Sequence, residues 1–485
     1  MTSPDNSSSA HTPLWMSIVL TAMAGGMGWG IRGQYGHETG AMIAGVLVSL
    51  VLVMLYCPDA HATHAARAAA WGAVAIGIGG SMTYGQTLGL TQNPAVIGNP
   101  NALAWGLLGC AIKGSAWIGF SGLFLGMGLG GLRYTPRELL ALLLALVGVY
   151  FIGVWLLNDP FDPANRRLPS IYFSATWDWE PNAEKLKPRR EVWGGLWFAL
   201  IGALAYLRYF KQDRLATRLG LWAILGGAIG FPLGQSLQAF HAWNPELFKA
   251  DWIAPLAQHM NWWNWMETTF GATFGAILGW GCWVHRRDIH SPTEPSQPAI
   301  KAPLEITLLV LHLTPLVICG LWDVPSVEIY QEIGLVLAII PLIAIAAGNW
   351  WPWFALLPVT LTPIAIKTLY QTTLQDQYLH PIPGWFFLLI LPLTLSVLAA
   401  LWAHRQGERN QTASKTLPPL LLLTAWTFFS LNYVFFHFPW PWATWTSRTP
   451  NGLAFTLCLL GLSLGAFRSW IKPNRPPAPQ PLVQS

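Results

Sequence analysis

Charged residues are scarce in this 485-residue sequence: only 10% are Asp, Glu, Lys or Arg, whereas 53% are hydrophobic and the mean hydropathy is +0.40. A soluble globular protein carries about 25% charged residues. The deficit extends along the whole chain, so no stretch is polar enough for a soluble domain and a polytopic integral membrane protein is predicted. The lipid bilayer is the expected partner, and the net charge of +5 does not predict a nucleic-acid partner.

Cysteine and catalytic motifs are scarce too. The five cysteines lie singly in or beside apolar segments, so they suggest neither a disulfide framework nor a CxxC metal site and are interpreted as packing residues. The sequence has no GxxxxGK[ST] phosphate loop, no HExxH and no GxSxG motif. "HATH" at 61–64 has HxxH spacing but no third ligand nearby, so it does not predict a metal site. We expect no metal ion and no cofactor.

Long apolar segments are what the sequence has in abundance. A membrane-spanning helix needs about 20 mostly apolar residues. Candidates begin near residues 13, 38, 67, 113, 136, 191, 218, 267, 304, 332, 351, 384, 417 and 451. Backbone polar groups cannot stay unpaired in lipid, and the alternating pattern of a membrane β-barrel is missing. The predicted fold is therefore an all-α bundle of about fourteen transmembrane helices.

Lys and Arg placement predicts the orientation, because cytoplasmic loops of membrane proteins are enriched in these residues. With the N-terminus in the cytoplasm, 16 of the 27 Lys and Arg residues fall on the cytoplasmic side. We therefore expect a multi-pass protein of the plasma (inner) membrane with both termini in the cytoplasm.

One polar stretch, "HRRDIHSPTEPSQPAIKAP", divides the chain. It predicts a Gly-rich membrane bundle of about eight helices at 1–284, a cytoplasmic linker at 285–303, and a second bundle of about six helices at 304–470. The Pro- and Gln-rich tail at 471–485 is predicted to be disordered.

The Gly-rich part contains a weak internal repeat. "GGMGWGIRGQ" (25–34), "GIGGSMTYGQ" (77–86) and "GGAIGFPLGQ" (226–235) align on a closing Gly-Gln pair. The helices that follow are predicted to open with "ETGAMIAG" at Glu38, "KGSAWIGFSG" at Lys113 and "ETTFGATFG" at Glu267, and a fourth opens with "EVWGGLWFALIG" at Glu191. Three or four parallel helical-hairpin repeats are predicted. Close helix packing alone explains the glycines.

Charged residues at the hairpin tips are the candidate site. Ionisable residues at membrane depth usually face the bundle interior and mark solute or ion paths. If the repeats surround one axis, their polar residues form a funnel open to the outer side: Arg32, Gln34, His37, Glu38, Gln86, Lys113, Glu191, Gln235 and Glu267. The simpler alternatives are an Arg32–Glu38 ion pair and acidic helix caps, but a cap does not explain a lysine at a helix start.

These features favour a secondary transporter or permease for a small polar solute, with His37 or a carboxylate as the candidate for proton coupling. A membrane-embedded transferase acting on a lipid-linked substrate is the first alternative. A structural or assembly subunit is the second. A polar cavity would favour transport, and a lateral groove beside Glu38 would favour the enzyme.

Overall fold

The computed structural model describes residues 12–294, 297–322, 324–437 and 444–471. Over these residues the protein is helical, with two isolated β-bridges. The first ten helices are α1 (Leu14–Arg32), α2 (Ala41–Tyr56), α3 (Ala62–Ala75), α4 (Gly85–Gln92), α5 (Pro100–Leu129), α6 (Pro136–Leu157), α7 (Trp193–Ala205), α8 (Arg214–Trp243), α9 (Ala254–Ala257) and α10 (Trp262–Val284).

Nine further helices follow the predicted linker. They are α11 (Ala302–Leu321), α12 (Pro325–Glu332), α13 (Gly334–Ala347), α14 (Trp351–Leu356), α15 (Pro358–Leu369), α16 (Pro381–Gly384), α17 (Leu391–Glu408), α18 (Ala413–Phe435) and α19 (Thr449–Ile471). Residues 472–485 of the predicted tail lie outside the described residues.

Nine helical segments of the described chain are long and apolar enough to cross a membrane. They are Leu14–Arg32, Pro100–Leu129, Pro136–Leu157, Arg214–Trp243, Ala302–Leu321, Trp351–Gln375, Pro381–Glu408, Ala413–Phe435 and Thr449–Ile471. A tenth span results if α12 and α13, bent by 70° at their junction, are taken together. The all-helical fold predicted from the sequence is therefore confirmed over the described residues, with nine or ten apolar helical segments that could span a membrane.

The predicted count of fourteen spans is not confirmed. Helices do lie at the other four predicted positions, namely α2, α3, α7 and α10. The first three of these helices have 16, 14 and 13 residues, which is short for a complete crossing. The fourth, α10, has 23 residues but is not among the helices that are both long enough and apolar enough to cross a membrane.

Glycines bring four helices into very close contact. The row runs α1, α10, α8 and α5, each packing against the next. A Cβ atom on Gly25 of α1 would lie 2.2 Å from the carbonyl oxygen of Gly271 in α10. One on Gly114 of α5 would lie 2.4 Å from the carbonyl oxygen of Gly227 in α8. No larger residue fits these crossings, as is typical of small-residue interfaces between membrane helices.

Helix α2 is the innermost helix. All of its 16 residues are buried, and its sequence "AMIAGVLVSLVLVMLY" is apolar on every side. A helix without a polar face is stable only when it is surrounded. Its neighbours are α1, α3 and α18, so the second predicted bundle packs directly against the first.

Two interrupted helices meet inside the bundle. The first runs from α3 through a 3₁₀ segment, Ile76–Ser81, and three non-helical residues to α4. The second is the bent pair α12 and α13, interrupted at Ile333. The amide of Gly334 donates to Oγ of Ser81 at 2.7 Å, so the two interruptions are in direct contact.

The predicted helix start at Lys113 is wrong. Helix α5 begins at Pro100, because the Asn99 side chain accepts hydrogen bonds from the amides of Asn101 and Ala102 and proline is favoured in the first helical position. Lys113 therefore lies in the middle of a 30-residue helix. The difficulty of a lysine at a helix N-terminus disappears with this correction.

The start at Glu267 is also displaced. Asn261 caps α10 by accepting a hydrogen bond from the amide of Asn264, so Glu267 lies inside the helix, after its first turn. Glu38 and Glu191 do precede their helices, α2 and α7, as predicted.

The three Gly-Gln segments adopt different backbone structures. Residues 25–34 are the end of α1 and the start of a turn. Residues 77–86 contain the 3₁₀ segment and the interruption before α4, whereas residues 226–235 lie wholly inside α8. The hairpin repeats are accordingly not confirmed.

Candidate functional site

A buried ion pair joins the end of α1 to α10. Nη2 of Arg32 donates to Oε1 of Glu267 at 3.1 Å and to the hydroxyl of Tyr84 at 2.7 Å. The two charged side chains are only 2% and 1% exposed. Buried charges are tolerated when they are paired and hydrogen-bonded. The predicted alternative, an Arg32–Glu38 pair, is wrong: the ion-pair partner comes from a different hairpin.

Aromatic rings surround the Arg32 guanidinium. Its Cζ atom lies 4.8 Å from the ring centre of Trp29, 5.0 Å from that of Trp117 and 5.4 Å from that of Tyr84. Cations over aromatic faces are stabilised most when they are desolvated. Nε of Arg32 is buried and has no hydrogen-bond partner in the described part of the chain. One donor of this guanidinium therefore remains unused.

The Arg32 cluster continues to the start of α19. Nδ2 of Asn264 donates to the carbonyl of Gly30 at 3.0 Å and contacts Oε2 of Glu267 at 3.5 Å. Arg448 donates through Nη1 to Oδ1 of the same asparagine. The cluster thus contains two arginines and one carboxylate, which gives it an excess positive charge.

A second buried ion pair links α5 to the residue before α7. Nζ of Lys113 lies 2.6 Å from Oε1 of Glu191, 2.6 Å from Oγ1 of Thr87 and 2.7 Å from the carbonyl oxygen of Thr83. The side chains of the pair are 1% and 0% exposed. An ammonium group has three N–H donors, and all three are used here.

Glu191 also holds the long connection between α6 and α7. Its Oε2 accepts a hydrogen bond from the amide of Phe173 at 3.0 Å, and its Oε1 accepts one from Oγ of Ser174 at 2.8 Å. Because every donor of Lys113 is used, this second pair is best understood as a structural clamp on the connection.

Two of the predicted glutamines have separate contacts. Nε2 of Gln235 donates to Oγ1 of Thr91 at 2.6 Å in the interior. Gln86 instead binds the connection, donating to the carbonyl of Lys187 at 2.7 Å and accepting from the amide of Arg189 at 3.0 Å. Gln34 is partly buried in the turn after α1.

The segment 83–91, which contains α4, connects these contacts. It supplies hydrogen-bond partners to both ion pairs (Tyr84, Thr83 and Thr87) and to Gln235 (Thr91), and it contains Gln86. The single funnel of nine residues stays a prediction. Four of its charged residues form two separate pairs around this segment, Arg32 with Glu267 and Lys113 with Glu191.

An exposed lysine lies near the first cluster. Lys367 is the one exposed residue of α15, since every other residue from Pro358 to Leu369 is buried. Its neighbour Thr368 donates through Oγ1 to the hydroxyl of Tyr35 at 3.2 Å, which ties α15 to the turn after α1. Lys367 is also close enough to His37 for its charge to act on the imidazole.

The turn after α1 places two predicted residues near this lysine and near Glu332. Part of the His37 ring reaches solvent, yet burial of the rest, together with the charges of Arg32 and Lys367, lowers the pKa of His37 to about 3. Burial raises the pKa of Glu38 to about 8, and the nearby charge of Glu332 adds to that effect. The group that titrates near neutral pH is therefore Glu38, and His37 stays neutral. We call the group formed by His37, Glu38, Glu332 and Lys367 the vestibule.

Sequence reasoning missed Tyr84, Thr87, Asn264 and Arg448. Tyr84 stands two residues before Gln86 in the second Gly-Gln segment, but only the closing Gly-Gln pair recurs in all three segments, and the tyrosine does not. Asn264 is the third residue of α10, where a polar residue usually indicates only a helix start. Arg448 stands in a short polar stretch that carries no motif.

The "HATH" stretch has a structural role at the start of α3. Nδ1 of His61 accepts a hydrogen bond from the amide of Thr63 at 3.3 Å and so caps the helix. Over residues 12–471, apart from the three gaps given above, no group of three or more His, Cys, Asp or Glu could hold a metal ion.

No model of a known protein family matches this chain, and no curated protein is detectably similar to it. The function must therefore be inferred from the chemistry of the residues in the two clusters and the vestibule.

Proposed function

We propose that this protein is a secondary transporter for a small polar solute. The solute would bind between the vestibule and the Arg32 cluster. The contact between the two interrupted helices is the observation that carries the proposal. Interrupted helices that meet near buried charges are a common arrangement at transporter binding sites.

The interruptions lie next to the charged residues. A Cβ atom on Gly80 in the 3₁₀ segment would be 2.5 Å from Cα of Glu38, so this backbone packs directly on the turn after α1. Tyr84, at the end of the same interruption, binds Arg32. A hinge movement of α4 or α13 would therefore alter the surroundings of both charged groups.

The charge balance favours a solute with an acidic group. Two arginines face one carboxylate in the Arg32 cluster, and Nε of Arg32 is an unused donor. Lys113 has no donor left for a ligand. Glu38 is the candidate proton carrier, because its pKa of about 8 allows exchange near neutral pH.

The proposal also includes a membrane topology for the protein. The proposed transporter has fourteen membrane crossings, hairpins related as repeats and a vestibule open to the outer side. It lies in the plasma (inner) membrane with both termini in the cytoplasm. The positions of α2, α3, α7 and α10 are compatible with this number of crossings.

Proteoliposomes test the proposal. They would be loaded with a mixture of amino acids, sugars and small carboxylates, and the release of each compound would be followed by mass spectrometry. We expect the protein to release at least one compound that carries a carboxylate. The double variant R32Q/E267Q should release it at least tenfold more slowly, because the site loses the Arg32 guanidinium with its unused Nε donor while side chains of similar size are kept.

The exposed ion pair of Arg218 and Asp288, with both side chains 46% exposed, provides the matched control. The variant R218Q/D288N should behave like the unmodified protein. Unchanged release by a folded R32Q/E267Q protein would overturn the mechanism. A lipid-linked transferase or an assembly subunit would release none of the compounds.

A further inference from the structure

Helix α17 has one face that differs from the rest of its surface. Leu395, Leu398, Trp402, Arg405 and Arg409 follow one another at spacings of three and four residues, so they share a single stripe. All five side chains are exposed. In the 18-residue apolar window of the span Pro381–Glu408, only 22% of the sequence is buried. The span therefore lies at the periphery of the bundle, where lipid is expected.

A depression of about 250 Å³ lies at the basic end of this stripe. It is lined by Leu398, Leu401, Trp402, Arg405, Gln406 and Arg409. Pockets for drug-sized molecules measure about 300–1,000 Å³, so this one suits a smaller group. Its wall is apolar at one end, basic at the other, and has a tryptophan between.

The two arginines are available to an anion. Residues four apart on a helix are separated by about 6 Å along its axis, so both guanidinium groups reach one phosphate. Neither Arg405 nor Arg409 forms an ion pair with any residue that the structure describes. The nearby carboxylate of Glu408 lies 3.4 Å from Nε2 of the buried His404, which draws it towards the bundle.

We propose that this depression binds the head group of an anionic phospholipid. The phosphate would lie between Arg405 and Arg409, and an acyl chain would follow Leu398 and Leu395. Tryptophan is enriched at the membrane–water interface, so Trp402 fits the boundary between head group and chain. Basic residues next to the cytoplasmic end of a membrane helix, and basic pockets between such helices, bind anionic lipid head groups. The apolar half of the stripe distinguishes this ligand from a soluble anion.

Lipid retention tests the proposal on the full-length protein. Native mass spectrometry would compare the binding of phosphatidylglycerol and phosphatidylcholine with identical acyl chains. We expect phosphatidylglycerol to bind more tightly, and the variant R405Q/R409Q to lose that preference. Each arginine near the surface strengthens binding about fivefold, so the double variant should bind about 25-fold more weakly. Leu398→Asn should weaken both lipids.

The control removes the same charge elsewhere. Arg287 and Arg468 are exposed residues on different elements, so R287Q/R468Q should retain the preference. An equal loss in this control would mean general attraction to positive charge and would overturn the site. Equal binding of the two lipids to the unmodified protein would also overturn it. So would tighter binding of glycerol phosphate than of phosphatidylglycerol, because the acyl chain would then contribute nothing and the ligand would be a soluble anion.

Discussion

Arg32 and Glu267 are 235 positions apart in the sequence, yet Nη2 of Arg32 lies 3.1 Å from Oε1 of Glu267 in the bundle interior. The hydroxyl of Tyr84 lies 2.7 Å from the same nitrogen. One charged contact therefore joins α1, α10 and the interruption before α4. A contact of this kind links the helices that a transport cycle would have to move.

Removing one member of the Arg32–Glu267 ion pair should destabilise the protein strongly. Arg32→Gln leaves the buried Glu267 carboxylate without its ion-pair partner, which costs about 3–5 kcal/mol. R32Q/E267Q should lose less than the sum of the two single variants, because neither member of the pair is left buried without the other. Unfolding in detergent by a denaturant titration measures these differences.

The exposed pair of Arg218 and Asp288 serves as the comparison, and its two single variants should change the free energy of unfolding by about 0–1 kcal/mol. Additive effects at Arg32 and Glu267 would mean that the two side chains do not interact.

The helical fold was predictable, whereas the site was predictable only in part. Long apolar segments indicate membrane helices, because side chains that face lipid have to be apolar. Most of the predicted helix starts lie near a helix of the structure. The charged residues were also recognisable, since charge is rare in such segments. Their partners were not, because pairing depends on which helices touch.

Lys113 shows why the partners were missed. Its apolar surroundings suggested a helix start, but Asn99 and Pro100 begin the helix earlier, in a stretch whose polar residues resemble a loop. Because the helix begins earlier than predicted, the lysine lies in its middle and contacts Thr83, Thr87 and Glu191. A one-dimensional pattern does not contain this information.

Removing the second ion pair should release the connection between α6 and α7. Lys113→Met takes away the only cation that contacts Glu191 among the described residues and leaves a buried carboxylate, at a cost of about 3–5 kcal/mol. The connection should then be cut sooner by protease in detergent. Lys249 pairs with Glu246 at the surface, so Lys249→Met should leave proteolysis unchanged. Equal protection in K113M would contradict the clamp.

The contact between the interrupted helices should not tolerate a methyl group. A Cβ atom on Gly334 would lie 2.5 Å from the carbonyl oxygen of Gly77 and 2.7 Å from that of Ile78, and both of these atoms are backbone. Gly334→Ala should therefore cost about 1–3 kcal/mol and slow transport. Denaturant titration and solute release measure the two effects.

Gly148 offers the opposite case, because no atom lies within 4 Å of its Cβ position in α6. Gly148→Ala should stabilise the protein by about 0.5–1 kcal/mol, since alanine is favoured over glycine inside a helix. If G334A were as stable as the parent, the two interrupted helices would not be in contact.

Glu38 should make stability depend on pH. Its pKa is raised from 4.5 to about 8, chiefly by burial, so the folded protein binds a proton that the unfolded chain releases. The resulting stabilisation is complete below pH 4.5 and is lost as the pH rises to about 8. The glutamine in Glu38→Gln cannot ionise, so the Tm of this variant should exceed that of the parent by a gap that grows between pH 5 and pH 8 and then stays constant.

Glu246→Gln, at a side chain that is 79% exposed, is the control and should show no such gap. A gap that shrinks as the pH rises would mean that Glu38 is held as a carboxylate, and the proton carrier of the proposed transport cycle would have to be sought elsewhere.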